Sequence, residues 1–161
     1  MKAIVFDSGT LITFTMTGML DVLQRLRLLF PGRFFITHAV KEEVIMRPLN
    51  VHRFELDALR VQQLLEKGVL ELPPVADTDT SELQSRAHAL LEKANHAMQI
   101  RGSWVNLVSE AEMSCLALAA LLERRGTQAL IAIDERTTRL LCEKPRALEE
   151  QIGRASCRER V

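Results

Sequence analysis

Two short, uninterrupted apolar runs constrain the fold of this chain most strongly. One is Ala3–Phe6 near the start of the chain, and the other is Ala129–Ile133 near its far end. A strand with one solvent-exposed face alternates apolar and polar residues, whereas a strand covered on both faces is apolar throughout. Both runs are therefore predicted to be strands that lie buried between two layers of helices.

Helices separate the predicted strands along the chain. Apolar residues recur at helical spacing in six segments, and two further short strands are predicted between them. Because strands and helices alternate, we expect an α/β fold with three layers (α/β/α) around a central, mainly parallel sheet. The predicted helices cover 19–29, 37–47 with Thr37 as the cap and an end before Pro48, 52–67, 81–100, 109–125 and 134–142, and the further strands cover 33–36 and 69–72.

The last residues of the chain do not follow this pattern. The domain is predicted to cover residues 1–150, and 151–161 is predicted to be a non-native tail. From Ile152 onward there is no hydrophobic period, and the segment resembles the translation of a common sequencing-adapter oligonucleotide. A short basic tail is the alternative.

The charge balance gives the chain no general attraction for nucleic acid. The full sequence has 21 basic and 21 acidic residues, and without the tail it has 18 and 20. A slightly acidic protein must contact RNA through a local basic patch or a bound cation. Four arginines are either an RNA-facing set or an ordinary solvated surface: Arg25, Arg27, Arg33 and Arg47.

Cysteine usage and hydropathy indicate a cytoplasmic protein. Cys115 and Cys142 lie in apolar helical runs and are predicted to be buried thiols rather than a disulfide. The apolar start of the chain is interrupted by Asp7 too soon for a secretory leader. No apolar run reaches the ~20 residues of a membrane span, so no membrane partner is expected.

Acidic residues follow both buried strands. Asp7 comes directly after the first predicted strand, and Asp134 comes directly after the second. Ligands of open parallel sheets bind beyond the carboxyl ends of the strands, where neighbouring strands are ~5 Å apart. Two carboxylates that close repel each other and tend to share a proton or a cation. Oxygen ligands suit Mg²⁺ or Mn²⁺, so a divalent site is expected at this edge.

Four segments of the chain carry an acid in characteristic surroundings. They are Val5–Ile12 with Asp7, Thr37–Val44 with Glu43, Glu112–Ala119 with Glu112, and Ile131–Arg139 with Asp134. In order and spacing across residues 3–143 they resemble the four motifs of PIN domains, in particular those of archaeal PIN-like proteins of unassigned role. The resemblance implies a PIN-like fold and a nuclease that hydrolyses single-stranded RNA.

The resemblance also implies a set of site residues. Asp7, Glu43, Glu112 and Asp134 would hold one or two Mg²⁺ or Mn²⁺ ions, and an activated water would attack the phosphodiester. The other implied roles are a second ion held through water by Glu135, a supporting hydroxyl hydrogen bond from Ser8, and phosphate contacts from Arg136 and Arg139. RNA is the expected partner, with an antitoxin-like protein or a second copy of the chain as further expected partners.

The end of the predicted domain differs from the family pattern. PIN domains end with a further strand and often a helix, whereas the domain predicted here stops after Glu150. The final strand is therefore expected to be missing. Without it, one edge or face of the sheet would be open.

Each candidate acid also has a purely structural interpretation. Ser109 and Glu112 match a capping box, Asp134 could cap the helix that follows it, and Asp7 could form a turn. Glu43 could lie on a solvated helix face. Glu42 and Glu110 are neighbouring acids that could take the place of Glu43 and Glu112 in the motifs.

Other functions fit the residues less well. The segment Phe6–Leu11 nearly matches the nucleophile loop of haloacid-dehalogenase-type phosphatases, but the second aspartate, their general acid, is absent. Neither Gly-x-Gly-x-x-Gly nor a Walker phosphate loop occurs. The alternative from another class is a non-catalytic PIN-like module that binds RNA or a protein, and a toxin role in a toxin–antitoxin pair also stays open.

Overall fold

The computed structural model describes residues 1–73, 80–97, 99–100, 102–144 and 146. The predicted tail over 151–161 lies outside these residues. In chain order the elements are β1 (Lys2–Phe6), α1 (Ser8–Met16), α2 (Leu20–Leu29), β2 (Arg33–Phe35), α3 (His38–Lys41), a π-helical turn (Glu42–Met46), α4 (Arg47–Leu49), α5 (Glu55–Glu66), α6 (Thr80–Asn95), β3 (Gln99–Ile100), β4 (Ser103–Trp104), α7 (Glu110–Arg124), β5 (Gln128–Ala132) and α8 (Arg136–Glu143).

The central sheet has three parallel strands in the order β2-β1-β5. In its register Ala3 lies opposite Arg33 on one side and Ala129 on the other, and Phe6 lies opposite Ala132. Helices flank the sheet, so the predicted α/β/α class with a mainly parallel sheet is confirmed. This order makes β1 the central strand and brings the carboxyl ends of β1 and β5 together.

The core forms around β1, β2 and α7. Val5, Phe34 and Leu118 are fully buried, and the rings of Phe6 and Phe34 meet edge to face at 5.1 Å. Full burial of side chains of this size contributes about 1.5–3 kcal/mol each. Since α7 packs against β1, β5 and α6, it fixes its own first turn relative to the end of β1.

The second apolar run is less buried than predicted. The strand is Gln128–Ala132, one residue earlier than expected, and Leu130 is 56% exposed. The prediction of a strand covered on both faces is wrong here. The physical reason is that, among the described elements, α7 is the helix that packs extensively on this outer strand, so its other face has little cover.

The segment after β1 is a helix rather than the predicted turn. Asp7 is the N-cap of α1, and its carboxylate accepts a hydrogen bond of 3.2 Å from the Gly9 amide. The small polar residues that suggested a turn are those that favour a helix start. The predicted helix over 19–29 is confirmed as α2.

The second predicted helix is capped as expected but continues further. Thr37 accepts a hydrogen bond of 3.2 Å from the Val40 amide, which confirms the cap. The predicted end before Pro48 is wrong, because the chain passes through the π-helical turn into α4. Proline is tolerated there because it lies in the first turn of α4, where its missing N–H costs little.

Three other predicted features differ from the structure. Helix α5 begins at Glu55 instead of at 52, and α6 ends at Asn95 instead of near 100. The α6 helix stops where the Asn95 side chain accepts hydrogen bonds from the segment just before α7, at 2.7 Å from the Leu107 amide. Cys115 is buried as predicted, but Cys142 is exposed near the end of the outer helix α8.

No helix within the described ranges is both long and apolar enough to cross a membrane.

Candidate acidic site

Asp7 occupies the carboxyl end of the central strand. Its side chain is buried, with 2% of the residue exposed, and its backbone amide donates to the Ala132 carbonyl at 3.0 Å. One carboxylate oxygen, Oδ2, accepts from Gly9, whereas Oδ1 is buried and has no hydrogen-bond partner among the described residues. Burial is the main cause that raises the pKa of Asp7. A buried carboxylate with an unused oxygen is costly unless a proton or a cation compensates it.

Three further carboxylates act on Asp7 or share its surroundings. Repulsion from Glu43 and Glu135 adds to the burial that raises the pKa of Asp7, and repulsion from Asp7 and Glu135 adds in the same way for Glu112. We call Asp7, Glu43, Glu112 and Glu135 the acidic cluster. Its members come from the end of β1, the π-helical turn, the first turn of α7 and the cap of α8. Repulsion of Asp7 by Glu43 and Glu135 is of the kind that a bound cation relieves.

Glu112 combines a structural role with a place in the acidic cluster. It forms the capping box of α7: its Oε2 accepts from the Ser109 amide at 2.9 Å, and its own amide donates to Ser109 Oγ at 3.3 Å. The capping interpretation is thus confirmed. The same Oε2 also accepts from Thr138 Oγ1 at 2.9 Å, and burial raises the pKa of Glu112.

The structure distinguishes the neighbouring acids. Glu112 is 9% exposed and interacts with Asp7, whereas Glu110 is exposed. Glu43 is half-buried in the π-helical turn and interacts with Asp7, whereas Glu42 is exposed. The wider π turn presents Glu43 rather than its neighbour, and such turns are frequent at functional sites.

Asp134 lies near Asp7 but outside the acidic cluster. Strand β5 ends at Ala132, so Asp134 does not follow it directly as predicted. A Cβ atom on Gly9 would lie 3.4 Å from Asp7 Oδ2 and 3.8 Å from Asp134 Cβ, so the two acids flank the same glycine. The Asp134 carboxylate is exposed and accepts from Thr13 Oγ1 at 2.9 Å.

Glu135, and not Asp134, caps the following helix. The Glu135 carboxylate accepts from the Thr137 amide at 2.9 Å, so the capping role considered for Asp134 is wrong. Hydrogen bonds from Thr137 lower the pKa of Glu135 and keep it charged. The surroundings of Glu135 therefore favour its ionised form.

The residues expected to support the acids have different surroundings. Ser8 is buried and lowers the pKa of Asp7 through its backbone amide, so the structure gives no support to the predicted hydroxyl hydrogen bond. Arg136 and Arg139 are exposed on α8, the helix that Glu135 caps. Arg139 Nε lies 3.9 Å from Glu143, which is a weak surface contact.

The four other arginines do not form one RNA-facing set. Arg27 and Arg33 both contact Glu71, with Arg33 Nε 3.0 Å from its carboxylate. Arg33 begins β2, at the opposite end of the sheet from Asp7, and these two arginines therefore stabilise the fold. Arg47 instead lines a cleft beside the acidic cluster.

This cleft has a volume of about 350 Å³ and lies between the segment from α3 to α4 and helix α6. Glu43 belongs both to the cleft and to the acidic cluster, so the two are continuous. The lining combines apolar, imidazole and charged side chains, among them Leu83, His88, Arg47 and the carboxylates of Glu42, Glu43 and Glu110.

Sequence reasoning missed several polar residues around the acids. Cys115 Sγ lies 3.6 Å from the Phe6 carbonyl, and burial raises the pKa of its thiol, which keeps it neutral beside Asp7. Thr37 Oγ1 and Ser114 Oγ lie 2.6 Å apart in the core. Thr138 is buried, and no local pattern in the sequence could mark it, because its partner Glu112 lies 26 positions away along the chain.

The donor set fits a hard divalent cation, although no cation site is assembled in the part of the chain that the structure describes. There, no group of three or more His, Cys, Asp or Glu side chains is arranged to hold a metal ion. The unused Asp7 Oδ1 and the surrounding carboxylates are nevertheless the oxygen ligands that Mg²⁺ and Mn²⁺ prefer.

No protein-family model matches this chain, and no curated protein or solved structure matches it either.

Proposed function

We propose that this protein is a PIN-type ribonuclease, and that its acidic cluster binds Mg²⁺ or Mn²⁺ to hydrolyse single-stranded RNA. The observation that carries the proposal is the Asp7 carboxylate, buried at the end of the central strand with Oδ1 unpartnered. The motif order from Asp7 to Asp134 adds support. A ribonuclease of this kind would act in the cytoplasm.

Electrostatics supports a cation at this position. Burial and repulsion between carboxylates raise the pKa of Asp7 and of Glu112, which means that their ionised forms are destabilised in the fold. A divalent ion would reverse this effect, since it attracts each carboxylate and replaces the repulsion between them. The folded protein would then be most stable with the ion bound.

The residues divide into an inner and an outer group. Asp7, Glu43 and Glu112 would hold the ion directly, and Glu135 would bind through water or hold a second ion. Asp134 would contribute from the outer side, because its carboxylate is exposed and bonded to Thr13. A bound ion supplies Lewis acidity, which lowers the pKa of a water molecule and neutralises charge on the phosphate.

The chain itself would orient the RNA. Arg136 and Arg139 are exposed on α8 beside the Glu135 cap and can bind phosphate groups. The cleft shares Glu43 with the acidic cluster and is lined by Arg47 and by apolar residues such as Leu83, against which a base could pack. The slightly acidic net charge makes these local contacts necessary.

RNA cleavage by the full chain tests this proposal. Labelled single-stranded RNA is incubated with wild type and with Asp7→Asn, with Mn²⁺ or with EDTA. We expect cleavage only by wild type with Mn²⁺, and circular dichroism should show that the variant keeps its fold. Equal cleavage by wild type and variant would mean that the activity comes from a contaminant or another site.

A second candidate is a non-catalytic module that binds RNA or a protein partner, such as an antitoxin or a second copy of the chain. One observation favours it: Glu112 Oε2 already accepts two hydrogen bonds, so this acid has a complete structural role without a metal. In that case the protein would bind RNA or its protein partner without cutting RNA, and Asp7→Asn would leave binding unchanged.

A further inference from the structure

Thr138 is a buried hydroxyl on a helix turn that is mostly exposed. Only 1% of its surface is exposed, whereas Arg136 and Arg139 beside it are exposed. Its Oγ1 donates a hydrogen bond of 2.9 Å to Glu112 Oε2. A buried hydroxyl is retained at low cost only where it has a partner, and here that partner is a member of the acidic cluster.

The bond from Thr138 is additional to the capping box. The capping box needs only the reciprocal bonds between Ser109 and Glu112. With Thr138, one oxygen of Glu112 receives two donors from two different elements, the start of α7 and the first turn of α8. These bonds fix the side chain and use Oε2, so that among the described residues no hydrogen bond occupies Oε1.

The same bond also connects two of the acidic segments. Thr138 lies three residues after Glu135 and four after Asp134, on the helix that Glu135 caps. By tying the first turn of α8 to Glu112, it sets the position of these two acids relative to α7. Loss of the hydroxyl would loosen both parts of the site together.

We propose that Thr138 is a positioning residue of the divalent-metal site: its hydroxyl holds Glu112 Oε2, so that Oε1 faces the ion bound by Asp7. This inference rests on the proposed function. The hydrogen bonds to Glu112 Oε2 that complete the start of α7 would then also orient a metal ligand. Groups that orient metal ligands in this way typically change metal affinity by about 10- to 100-fold.

The test compares removal of the hydroxyl group at Thr138 with its removal at Thr15, both in the full chain. Thr138→Val removes the donor and keeps the branched shape, and Thr138→Ser keeps the donor. Thr15→Val is the matched control, because Thr15 is also a buried threonine but bonds a backbone carbonyl, Leu11 O, at 2.7 Å. Mn²⁺ affinity is measured by calorimetry, RNA cleavage by kcat and KM, and the fold by thermal unfolding.

We expect Thr138→Val to weaken Mn²⁺ binding by about 10-fold and to lower kcat more than it changes KM. Thr138→Ser should restore both, and Thr15→Val should lower the unfolding temperature with Mn²⁺ affinity within about twofold of wild type. If Thr138→Val does not fold, Thr138→Ala provides the same deletion without the added methyl group.

Two results would overturn the inference while the proposed function stands. One is wild-type Mn²⁺ affinity in a folded Thr138→Val or Thr138→Ala variant, and the other is an equal loss of affinity in Thr15→Val. A wild-type protein that neither binds Mn²⁺ nor cuts RNA would overturn the proposed function itself, and this inference with it.

Discussion

Thr13 Oγ1 donates a hydrogen bond of 2.9 Å to Asp134 Oδ2, and this bond holds the acid that follows β5 against helix α1. Asp134 is exposed, whereas Asp7 on the neighbouring strand is 2% exposed. The two acids at the strand ends therefore differ in environment, although both approach Gly9. Their contributions to a cation site should differ accordingly.

The first prediction concerns these two acids. Asp134→Asn should reduce Mn²⁺-dependent cleavage by about 10-fold, because an outer, solvated ligand is partly replaced by water. Asp7→Asn should reduce it by at least about 100-fold, because loss of the buried ligand removes several kcal/mol of charge stabilisation. Single-turnover cleavage rates measure both effects. A larger loss in Asp134→Asn than in Asp7→Asn would reverse the inner and outer assignments.

The second prediction uses the acidic pair in the π-helical turn. Glu43→Gln should weaken Mn²⁺ binding by about 10-fold, since Glu43 is half-buried and interacts with Asp7. Glu42→Gln is the matched control and should stay within about twofold of wild type, because Glu42 is exposed. The measurement is a Mn²⁺ titration of both variants. An equal loss of Mn²⁺ affinity in Glu43→Gln and Glu42→Gln would show that the π-helical turn does not favour Glu43 over Glu42 as a ligand.

The third prediction separates the capping and metal-binding roles of Glu112. Glutamine at this position still completes a capping box, so the free energy of unfolding of Glu112→Gln should be within about 1 kcal/mol of the wild-type value. It should nevertheless lose about 10-fold or more in Mn²⁺ affinity, because the charge is removed. Glu110→Gln is the control and should change neither. A Glu112→Gln variant that binds Mn²⁺ as wild type does would leave Glu112 with its capping role alone.

The fourth prediction concerns pH. Burial raises the pKa of Asp7 and of Glu112 above their ordinary values of 3.8 and 4.5, so the folded state binds more protons than the unfolded chain. In EDTA, the stability that Asp7 and Glu112 contribute to the fold is fully present when the pH is below their ordinary pKa values. This stability is lost as the pH rises through their raised pKa values. The lowered pKa of Glu135 acts in the opposite direction. The free energy of unfolding, measured by urea denaturation in EDTA, should therefore fall as the pH is raised from 4.

Two comparisons check the origin of this decline. Asp7→Asn should flatten the dependence, because the variant cannot take up the proton. Mn²⁺ should raise the free energy of unfolding most at neutral pH, where the carboxylates are ionised. An Asp7→Asn variant with the same pH dependence as wild type would show that Asp7 is not the titrating group.

Much of the sheet and one of its acids could be predicted from the sequence. The run Ala3–Phe6 is apolar on both faces because β1 is the central strand. Ligands of a parallel sheet bind at the carboxyl ends of its strands, so the place of Asp7 at such an end could be predicted from the sequence. The same argument failed in detail for Asp134. An edge strand needs fewer buried residues, and the end of β5 shifted by one residue.

The remaining site residues depend on tertiary contacts that local patterns do not contain. The π-helical turn that presents Glu43 has no sequence signature, and its Val44 and Ile45 side chains are buried in the core. The bond from Thr138 to Glu112 joins residues 26 positions apart. A pattern could indicate the capping box of Glu112, but only the fold shows that a second donor reaches the same oxygen.

The central claim is that the acidic cluster around Asp7 binds a divalent cation, and a calorimetric Mn²⁺ titration of wild type and Asp7→Asn tests it most directly. We expect wild type to bind one or two ions with a Kd below the millimolar range, and Asp7→Asn to give no binding heat while keeping its fold. Absence of binding by wild type at millimolar Mn²⁺, or equal binding by both proteins, would contradict the claim and favour the non-catalytic module.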